Sequence, residues 1–292
     1  YSLDAWCKNT YGRKLYKAAL DIGCTCPNRD GTLDTRGCIF CSAGGSGDFA
    51  ASRQLSVTDQ LNQAKALLSS KWTPEPGKPS LIAYFQAYTN TYGDPDRLLS
   101  CYEEALSSPE VAGISIATRP DCLSDIILEG LDRLRLLYPD RFIWIELGLQ
   151  SIHDHTAARI RRGYPTSVFY DAAAKLHARK LPFIVHLILG LPGETRLDLQ
   201  ESIRAVNQVH PFGVKLQLLH ILKGTDLALL YESGKLPVLT QEEYLDLLTS
   251  CIAALSPDIC LHRITGDGPR KLLIAPQWSL SKRNVLNRLH AL

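Results

Sequence analysis

The amino-acid sequence predicts an α/β fold, a partial (β/α)6 TIM-like barrel with a short C-terminal extension. Apolar runs of strand length alternate with stretches of helical period along most of the chain. Such alternation favours a parallel sheet with right-handed crossovers. Six units can be recognised, fewer than the eight of a closed barrel, and the length of 292 residues suits this smaller number.

Each predicted strand is a short apolar run. The six runs lie at residues 14–22, 81–87, 112–118, 142–149, 183–189 and 213–220. Helical stretches lie at residues 56–70, 95–106, 123–137, 154–162, 166–180, 195–209, 225–233 and 240–255. The clearest helix start is Asp94-Pro95, because aspartate is a preferred N-cap and proline a preferred first helical residue.

The sequence predicts a barrel over residues 1–257 and an extension packed on it over residues 258–292. The extension contains a predicted strand at 259–265, a glycine-rich turn at 266–269 and a basic final helix. A proline-rich stretch at 74–79 predicts a surface loop.

Composition and charge exclude several classes of protein. Hydrophobic residues make up 45% and charged residues 21% of the chain, and the formal net charge is +2. These values exclude a disordered chain and a strongly basic nucleic-acid coat, but not a local basic patch. No apolar run reaches the ~18–20 residues that span a bilayer, and no cleavable signal pattern opens the chain. We therefore expect a cytoplasmic protein with no membrane partner.

Polar or glycine-rich residues follow each predicted strand. In βα barrels the chemistry lies at the carboxyl ends of the strands, so these residues predict a site at one rim. Turns also favour glycine, proline and polar residues, which is the competing explanation. The explanation by turns does not account well for Glu146 and Gln150, which lie inside an apolar strand. These two residues are four positions apart, so they face the same side of the strand.

Four of the nine cysteines lie in one stretch, at Cys24, Cys26, Cys38 and Cys41. In a chain of this size, clustered cysteines indicate a metal site rather than disulfides. Cys38 and Cys41 form a C-x-x-C pair, and Cys26 precedes it by a loop that contains two glycines. Three thiolates would hold an iron–sulfur cluster with one open iron, whereas four would saturate it.

Two other interpretations of the cysteines remain open on spacing alone. A structural zinc site could use Cys24 as its fourth ligand. However, Cys24 and Cys26 would face opposite sides if the first strand continued through them. A thiol–disulfide pair would use the C-x-x-C motif and leave Cys26 without a role.

The sequence resembles the radical S-adenosylmethionine (SAM) superfamily, in particular its YhcC/YtqA-type branch, which is related to the catalytic subunit of Elongator. The segments that carry the resemblance are CPNRDG (26–31), GCIFC (37–41), YFQAYTNTY (84–92), SIATRPDCL (115–123), ELGLQS (146–151), HLILGLPGET (186–195), LLHILKGTDLA (218–228) and HRITGDGP (262–269). The chain shares the branch's departure from the common C-x3-C-x2-C spacing, and Cys24 is not part of the branch's motif.

The resemblance implies a [4Fe–4S] cluster held by Cys26, Cys38 and Cys41, with SAM bound to the open iron. Reductive cleavage of SAM would give methionine and a 5′-deoxyadenosyl radical that abstracts a substrate hydrogen. The implied electron donor is a protein such as flavodoxin or ferredoxin. In such enzymes the cofactor supplies the chemistry, and the protein supplies orientation and exclusion of water.

The resemblance also implies site residues. The cofactor-binding positions match Phe40, Gln86, Thr89, Asn90, Thr118, Glu146, Gln150, Arg162, Gly190, Pro192 and Gly193, and the candidate catalytic residues are Gln150 and His220. Arg162 matches a position that pairs with the SAM carboxylate, which suits a bidentate guanidinium, with Arg161 as the alternative. Each assignment has a structural competitor: a core aromatic for Phe40, a polar turn for 86–90, and a satisfied core histidine for His220.

For the substrate, the resemblance implies tRNA and its wobble uridine. The tail is rich in basic residues with interleaved rings: Arg263, Arg270, Lys271, Trp278, Lys282, Arg283, Arg288 and His290. Basic and aromatic side chains together are typical of RNA-binding surfaces. The alternatives are a small-molecule or protein substrate, or a zinc-stabilised RNA-binding barrel without turnover.

Overall fold

The computed structural model describes residues 1–68, 78–266 and 268–291. The strands are β1 (Tyr16–Leu20), β2 (Leu81–Phe85), β3 (Val111–Thr118), β4 (Phe142–Gln150), β5 (Phe183–Leu189), β6 (Gly213–Leu218), β7 (Ile221–Leu222), β8 (Cys260–Arg263) and β9 (Leu273–Ala275). Within the described residues, β1–β6 and β8 form one curled parallel sheet in that order. The short strands β7 and β9 pair separately and antiparallel.

The helices cover the outside of this sheet. They are α1 (Leu3–Tyr11), α2 (Val57–Leu68), α3 (Pro95–Ser107), α4 (Asp125–Leu137), α5 (Asp154–Arg159), α6 (Thr166–Ala178), α7 (Arg196–Val209), α8 (Asp226–Glu232), α9 (Gln241–Ala254) and α10 (Lys282–His290). Local sequence sets several of their starts. Asp94 caps α3 by accepting the Arg97 N–H at 2.8 Å, and Thr195 forms a capping box with Asp198 at α7.

The predicted α/β partial barrel is confirmed, with six of its strands at the predicted apolar runs. Half of the predicted element ends move inward by one to three residues, and most of the others are unchanged. The predicted strand at 213–220 ends at Leu218, and the chain then forms β7 as a separate strand. The predicted helix at 154–162 ends at Arg159, because Arg161 and Gly163 adopt left-handed backbone with φ of 55° and 86°.

The main sheet has seven strands rather than six, since β8 in the tail pairs parallel to β6. The sequence prediction also lacked α1 and the β7–β9 pair. The boundary between residues 257 and 258 stays a prediction. Residues 74–77 of the proline-rich stretch and Asp267 of the glycine-rich turn lie outside the described residues.

Helix α1 closes the amino-terminal end of the barrel. Trp6 on this helix packs edge-to-face on Trp144 at 5.0 Å and on Phe142 at 5.7 Å. Phe142 and Trp144 lie at the start of β4 and stack on each other at 3.9 Å. This aromatic plug leaves the carboxyl ends of the strands as the open end. None of the described helices is long and apolar enough to cross a membrane.

Candidate functional site

A cavity with two connected lobes lies at the carboxyl ends of the strands. The smaller lobe, of about 170 Å³, is lined by Cys26, Cys38 and Cys41 and is called the cysteine lobe. The larger lobe, of about 380 Å³, is lined by His220 and by residues 266, 268 and 269 of the tail and is called the tail lobe. The lobes share Phe40, Cys41, Ser46, Tyr84, Gln86, Gln150, His186, Gln217 and Arg263.

The loop that carries the three cysteines is fastened by side chains from its own CPNRDG segment. Asn28 donates from Nδ2 to the carbonyl oxygens of Arg161 and Arg162, at 2.7 and 3.0 Å. Arg29 donates to the carbonyl oxygens of Cys41 and Ser42, at 2.8 and 2.7 Å. These bonds satisfy backbone acceptors and fold the loop back on itself, so that the cysteines converge.

The three thiols share one environment. All three are free thiols. Burial raises the pKa of Cys38 to about 12, and Cys41 and Cys26 act in the same direction. Two donors lie within reach of sulfur, Asn28 Nδ2 at 3.7 Å from Cys38 Sγ and an Arg119 nitrogen at 4.0 Å from Cys26 Sγ. Buried thiolates need a cation, so this donor set fits a metal centre.

Cys24 is separated from this group. It is 3% exposed and belongs to the main hydrophobic core. Burial raises the pKa of the Cys24 thiol to about 11. Among the described residues, no fourth cysteine lines either lobe. Three thiols without a fourth fit a [4Fe–4S] cluster with one open iron better than a four-thiolate zinc site.

Most of the predicted cofactor residues reach the cysteine lobe. Its lining includes Phe40, Gln86, Thr89, Thr118, Glu146, Gln150 and Arg162. Gln86 donates from Nε2 to the Ser46 carbonyl oxygen at 2.7 Å. Gln150 ends β4 with a φ of 62°, where the β4–β5 register shifts. A non-glycine residue held in this left-handed region is more common at functional sites than elsewhere.

The other predicted cofactor residues lie behind the cavity. Asn90 is fully buried and donates from Nδ2 to the carbonyl oxygens of Phe85 and Ala117, both at 3.0 Å. None of Gly190, Pro192 and Gly193 lines a lobe. Arg159 donates to the Pro192 carbonyl oxygen at 2.8 Å, and a Cβ on Gly193 would lie 1.8 Å from that guanidinium. The end of the Arg159 side chain can shift, so the stronger reason for glycine at this position is its φ of 80°.

Glu146 is the most enclosed ionisable group of the cavity, with 0% exposure. Its Oε1 accepts from Lys17 Nζ at 2.9 Å and from Ser115 Oγ at 2.6 Å. Its Oε2 accepts from Lys215 Nζ and from His186 Nε2, the latter at 2.8 Å. Burial opposes ionisation, but Lys17 and Lys215 hold the pKa of Glu146 well below its usual range. The protein itself therefore supplies the partners that we expected from SAM.

Arg162 is also saturated by the protein. It is 1% exposed, and Nη1 donates to the carbonyl oxygens of Leu149 and Ser151 at 2.8 and 2.7 Å. Nε and Nη2 donate to Tyr164 O, and Nη2 also donates to Thr166 Oγ1. A SAM carboxylate would have to displace these bonds. The hydrogen bonds of Arg162 fix the backbone at the end of β4 and just after it, next to the strained Gln150.

Sequence reasoning missed several cavity residues, among them Lys17, Tyr84, His186, Lys215 and Gln217. Lys17, His186, Lys215 and Gln217 are polar residues within apolar strands β1, β5 and β6, the same signal that drew attention to Glu146. Lys215 donates to Tyr84 Oη at 3.1 Å as well as to Glu146. These residues form the polar floor of the cavity.

His220 lies in the tail lobe, where its Nε2 is 3.2 Å from Ser279 Oγ. The tail packs closely on the ring, since a Cβ on Gly266 would lie 2.6 Å from Cε1. Of the basic tail residues, Arg270, Lys271, Lys282, Arg283 and Arg288 are exposed and Arg263 lines both lobes. Trp278 is turned inward, donating to Leu239 O at 3.0 Å. The side chain of His290 lies outside the described residues.

Comparison with family models identifies the class of protein that this fold and site define. The model of the radical SAM superfamily matches residues 26–206, and that of the radical SAM C-terminal domain matches residues 211–292. The chain belongs to the radical SAM superfamily and, within it, to the YtqA/YhcC-type branch. This family typically binds a [4Fe–4S] cluster and SAM.

Two relatives place the chain in that branch. It is 41% identical to the protein YtqA of Bacillus subtilis over 290 residues, which is 99% of this chain and 88% of the relative. It is 36% identical to the protein YhcC of Escherichia coli over 271 residues, covering 92% and 84% of the two chains. Elongator complex protein 3 of Homo sapiens is more distant, at 25% identity over 55% of this chain and 29% of that protein.

Solved structures agree on the fold. The archaeal Elp3 of Methanocaldococcus infernus superimposes with a TM-score of 0.67 at 16% identity, over 95% of this chain and 63% of that chain. Methylornithine synthase superimposes with a TM-score of 0.53 at 13% identity, over 97% and 84%. At these identities the similarity concerns the architecture of the barrel alone.

Proposed function

We propose that this chain is a radical SAM enzyme that modifies the side chain of a wobble uridine in tRNA, with a cluster held by Cys26, Cys38 and Cys41. The observation that carries the proposal is the cysteine lobe, where three thiols, and no fourth among the described residues, face a cavity at the open end of the barrel. When bound, the cluster supplies the electron that cleaves SAM to methionine and a 5′-deoxyadenosyl radical. The electron comes from a donor such as flavodoxin or ferredoxin.

The chain's own residues position and shield this chemistry. Asn28 and Arg29 hold the cysteine loop against the barrel. Gln86, Thr89 and Gln150 line the cysteine lobe and offer hydrogen bonds to SAM. Phe40 lies between the two lobes and contributes an apolar wall. A radical needs a site from which water is excluded, and the apolar wall and the aromatic plug below serve that purpose.

The tail lobe is the proposed site of the substrate. Its volume of about 380 Å³ suits a small-molecule-sized group such as a nucleobase. Gln150 and His220 both line it, and they are the candidate residues that face the reacting group. The exposed cations Arg270, Lys271 and Arg283 near the same end of the chain offer phosphate contacts.

The metal part of the proposal is tested by anaerobic reconstitution. The wild-type chain should bind about four irons and four sulfides. Single Ser variants of Cys26, Cys38 and Cys41 should lose this iron, whereas Cys24→Ala should retain it, because Cys24 lies in the core. Stoichiometric zinc that needs all four cysteines would contradict the assignment and favour the zinc-stabilised alternative.

The substrate part is tested with the reconstituted enzyme and SAM. Addition of tRNA that carries a modifiable wobble uridine should increase the formation of 5′-deoxyadenosine, and nucleoside analysis should show a changed uridine. A small-molecule or protein substrate becomes the better candidate when tRNA neither binds nor increases SAM cleavage.

A further inference from the structure

Three side chains form a hydrogen-bonded row from the floor of the cavity towards its lumen. Glu146 Oε2 lies 2.8 Å from His186 Nε2, and His186 Nδ1 lies 3.4 Å from Gln217 Nε2. Glu146 is on β4, His186 on β5 and Gln217 on β6, so three neighbouring strands supply the row, and each step moves two residues further along the next strand. Gln217 lines both lobes, whereas Glu146 is fully enclosed.

The row fixes where each proton lies. Lys17 and Lys215 keep Glu146 ionised, and a carboxylate can only accept hydrogen bonds. His186 must therefore carry its proton on Nε2. Burial lowers the pKa of His186 to about 4, so the ring is neutral near pH 7 and Nδ1 can only accept. Gln217 must then present its amide nitrogen to His186.

This orientation leaves the carbonyl oxygen Oε1 of Gln217 as a fixed acceptor. Within the described residues, the bond to His186 is the one hydrogen bond that the Gln217 side chain makes. A fixed acceptor in a cavity selects a ligand that presents an N–H or O–H at that point. If Gln217 instead presented Oε1 to His186, the proton of the neutral ring would have to lie on Nδ1. Nε2 would then face the ionised Glu146 with a lone pair, and no hydrogen bond could form between them.

The surrounding residues favour a ligand with mixed hydrogen-bonding edges. Gln86 and Gln150 bring two more carboxamides to the same lumen. The lysines below are engaged with Glu146. Single-stranded RNA is read in this manner, through the Watson–Crick edge of a base that is turned out of the chain. Uracil presents an N–H at N3, whereas cytosine presents an acceptor there.

We infer that Gln217, oriented by His186, reads the N3–H of a uracil base that enters the cavity, and that this pair sets the preference for uridine over cytidine. This inference rests on the proposed function. It assigns Gln217 as a specificity residue and His186 as a positioning residue that acts through Gln217.

The test measures the binding of anticodon stem-loop RNA to the full-length reconstituted protein. Three RNAs are compared, which carry uridine, N3-methyluridine or cytidine at the wobble position and are otherwise identical. The wild-type protein should bind the uridine RNA about tenfold more tightly than either of the others, the size of one lost hydrogen bond to a fixed partner.

Two variants distinguish recognition of the uracil base from general binding of the RNA. Gln217→Leu should bring the uridine to N3-methyluridine ratio close to one. His186→Phe should free the amide to rotate and so reduce the preference for uridine over cytidine, with phosphate contacts unchanged. Gln208→Leu, an exposed glutamine on α7, is the matched control and should keep the wild-type ratios. Should His186→Phe fail to fold, Gln217→Leu with the methylated RNA decides alone.

The outcomes distinguish this inference from the proposed function on which it rests. Equal binding of all three RNAs by the wild-type protein, together with stimulated SAM cleavage, overturns the reading by Gln217 and leaves the RNA substrate standing. Absence of RNA binding and of stimulated SAM cleavage overturns both. A uridine to N3-methyluridine binding ratio close to one in Gln217→Leu, with the wild-type ratio kept in Gln208→Leu, supports the inference.

Discussion

At the scale of single residues, the cavity floor is built around one carboxylate. Glu146 has 0% exposure and takes hydrogen bonds from two lysines, a histidine and a serine. Burial of an ion pair contributes little net stability relative to an apolar pair, yet removing one partner leaves an uncompensated buried charge. The floor is therefore sensitive to any change that neutralises Glu146.

Glu146→Gln should lower the free energy of unfolding by about 3–5 kcal/mol, because Lys17 and Lys215 lose their shared counter-charge. Urea-induced unfolding measures the change. Glu242→Gln is the matched control, since its partner Arg288 is on the surface and water screens that pair. Similar stability losses in the two variants would contradict the burial argument.

The stability of the fold should also fall as the pH is lowered, because the pKa of His186 is about 4 in the folded chain against 6.5 for an exposed histidine. Between these values the unfolded chain binds the additional proton, so acid favours unfolding. We expect a loss of up to about 3 kcal/mol across this window. Urea unfolding at several pH values should show it, with a flatter profile in His186→Phe.

Sequence reasoning at this scale named Glu146, Gln86 and Gln150, which line the cavity, but not the residues that surround Glu146 in the floor. Lys17, His186, Lys215 and Gln217 each interrupt an apolar strand, so the signal was present. The lysines that saturate Glu146 come from strands that are far apart from β4 in sequence. Spacing along the chain carries no information about such pairs.

At the scale of elements, the cysteine loop depends on a close approach between two segments. Gly163 has a φ of 86°, and a Cβ at this position would lie 2.5 Å from Oδ1 of Asn28. Asn28 is the side chain that ties the loop to the backbone at Arg161 and Arg162. A glycine is needed here both for its backbone conformation and for the space it leaves.

Gly163→Ala should therefore loosen the cysteine loop and weaken iron retention by roughly tenfold, as for other residues that support metal ligands. Gly234→Ala is the matched control, because Gly234 also has positive φ, at 72°, but nothing lies within 4 Å of its Cβ position. Both variants carry similar backbone strain. Iron loss to a chelator measures the difference, and equal retention in the two would count against the proposed fastening.

The elements that sequence predicted are the long ones. An apolar run of five or more residues between turn residues identifies β1–β6 without tertiary information. β7 and β9 span two and three residues, too few for any periodicity. Helix α1 carried readable signals in its Ser2 N-cap and its Gly12 C-cap, with apolar Leu3, Trp6 and Cys7 on one side.

At the scale of the whole molecule, the net charge of the chain is +2, and its charged residues are unevenly distributed. The tail exposes several cations, among them Arg270, Lys271 and Arg283. They lie close in sequence to residues that line the cavity. Arg288 is exposed but paired with Glu242 at 2.6 Å. Trp278 is half-buried and donates to Leu239 O, so the RNA proposal rests mainly on the cations.

Binding of tRNA should weaken steeply as salt increases, because each bound phosphate releases counterions. Lys271→Ala with Arg283→Ala should reduce the slope of log K against log salt by about one unit for each phosphate that the variant no longer binds. Arg133→Ala with Arg204→Ala, exposed cations on α4 and α7, should leave the slope unchanged. Titrations at several salt concentrations measure it, and equal slopes in both double variants would remove the tail from the RNA interface.

The whole architecture followed from the alternating pattern, but the number of strands did not. The predicted strand at 259–265 is confirmed as β8, but it was assigned to the extension, because the sequence alone carries no local signal for its pairing with β6. That pairing brings Arg263 and residues 266, 268 and 269 to the cavity. The tail is thus a wall of the site.

The order of the strands in the main sheet equals their order along the chain, with β8 as the last to join. During synthesis, each new strand therefore finds its neighbour already available, and the sheet can grow from one edge as the chain emerges. The cysteine loop follows β1 and is made early, whereas the tail wall is made last. The side of the cavity that Arg263 and residues 266, 268 and 269 line is therefore completed only after the tail has been synthesised.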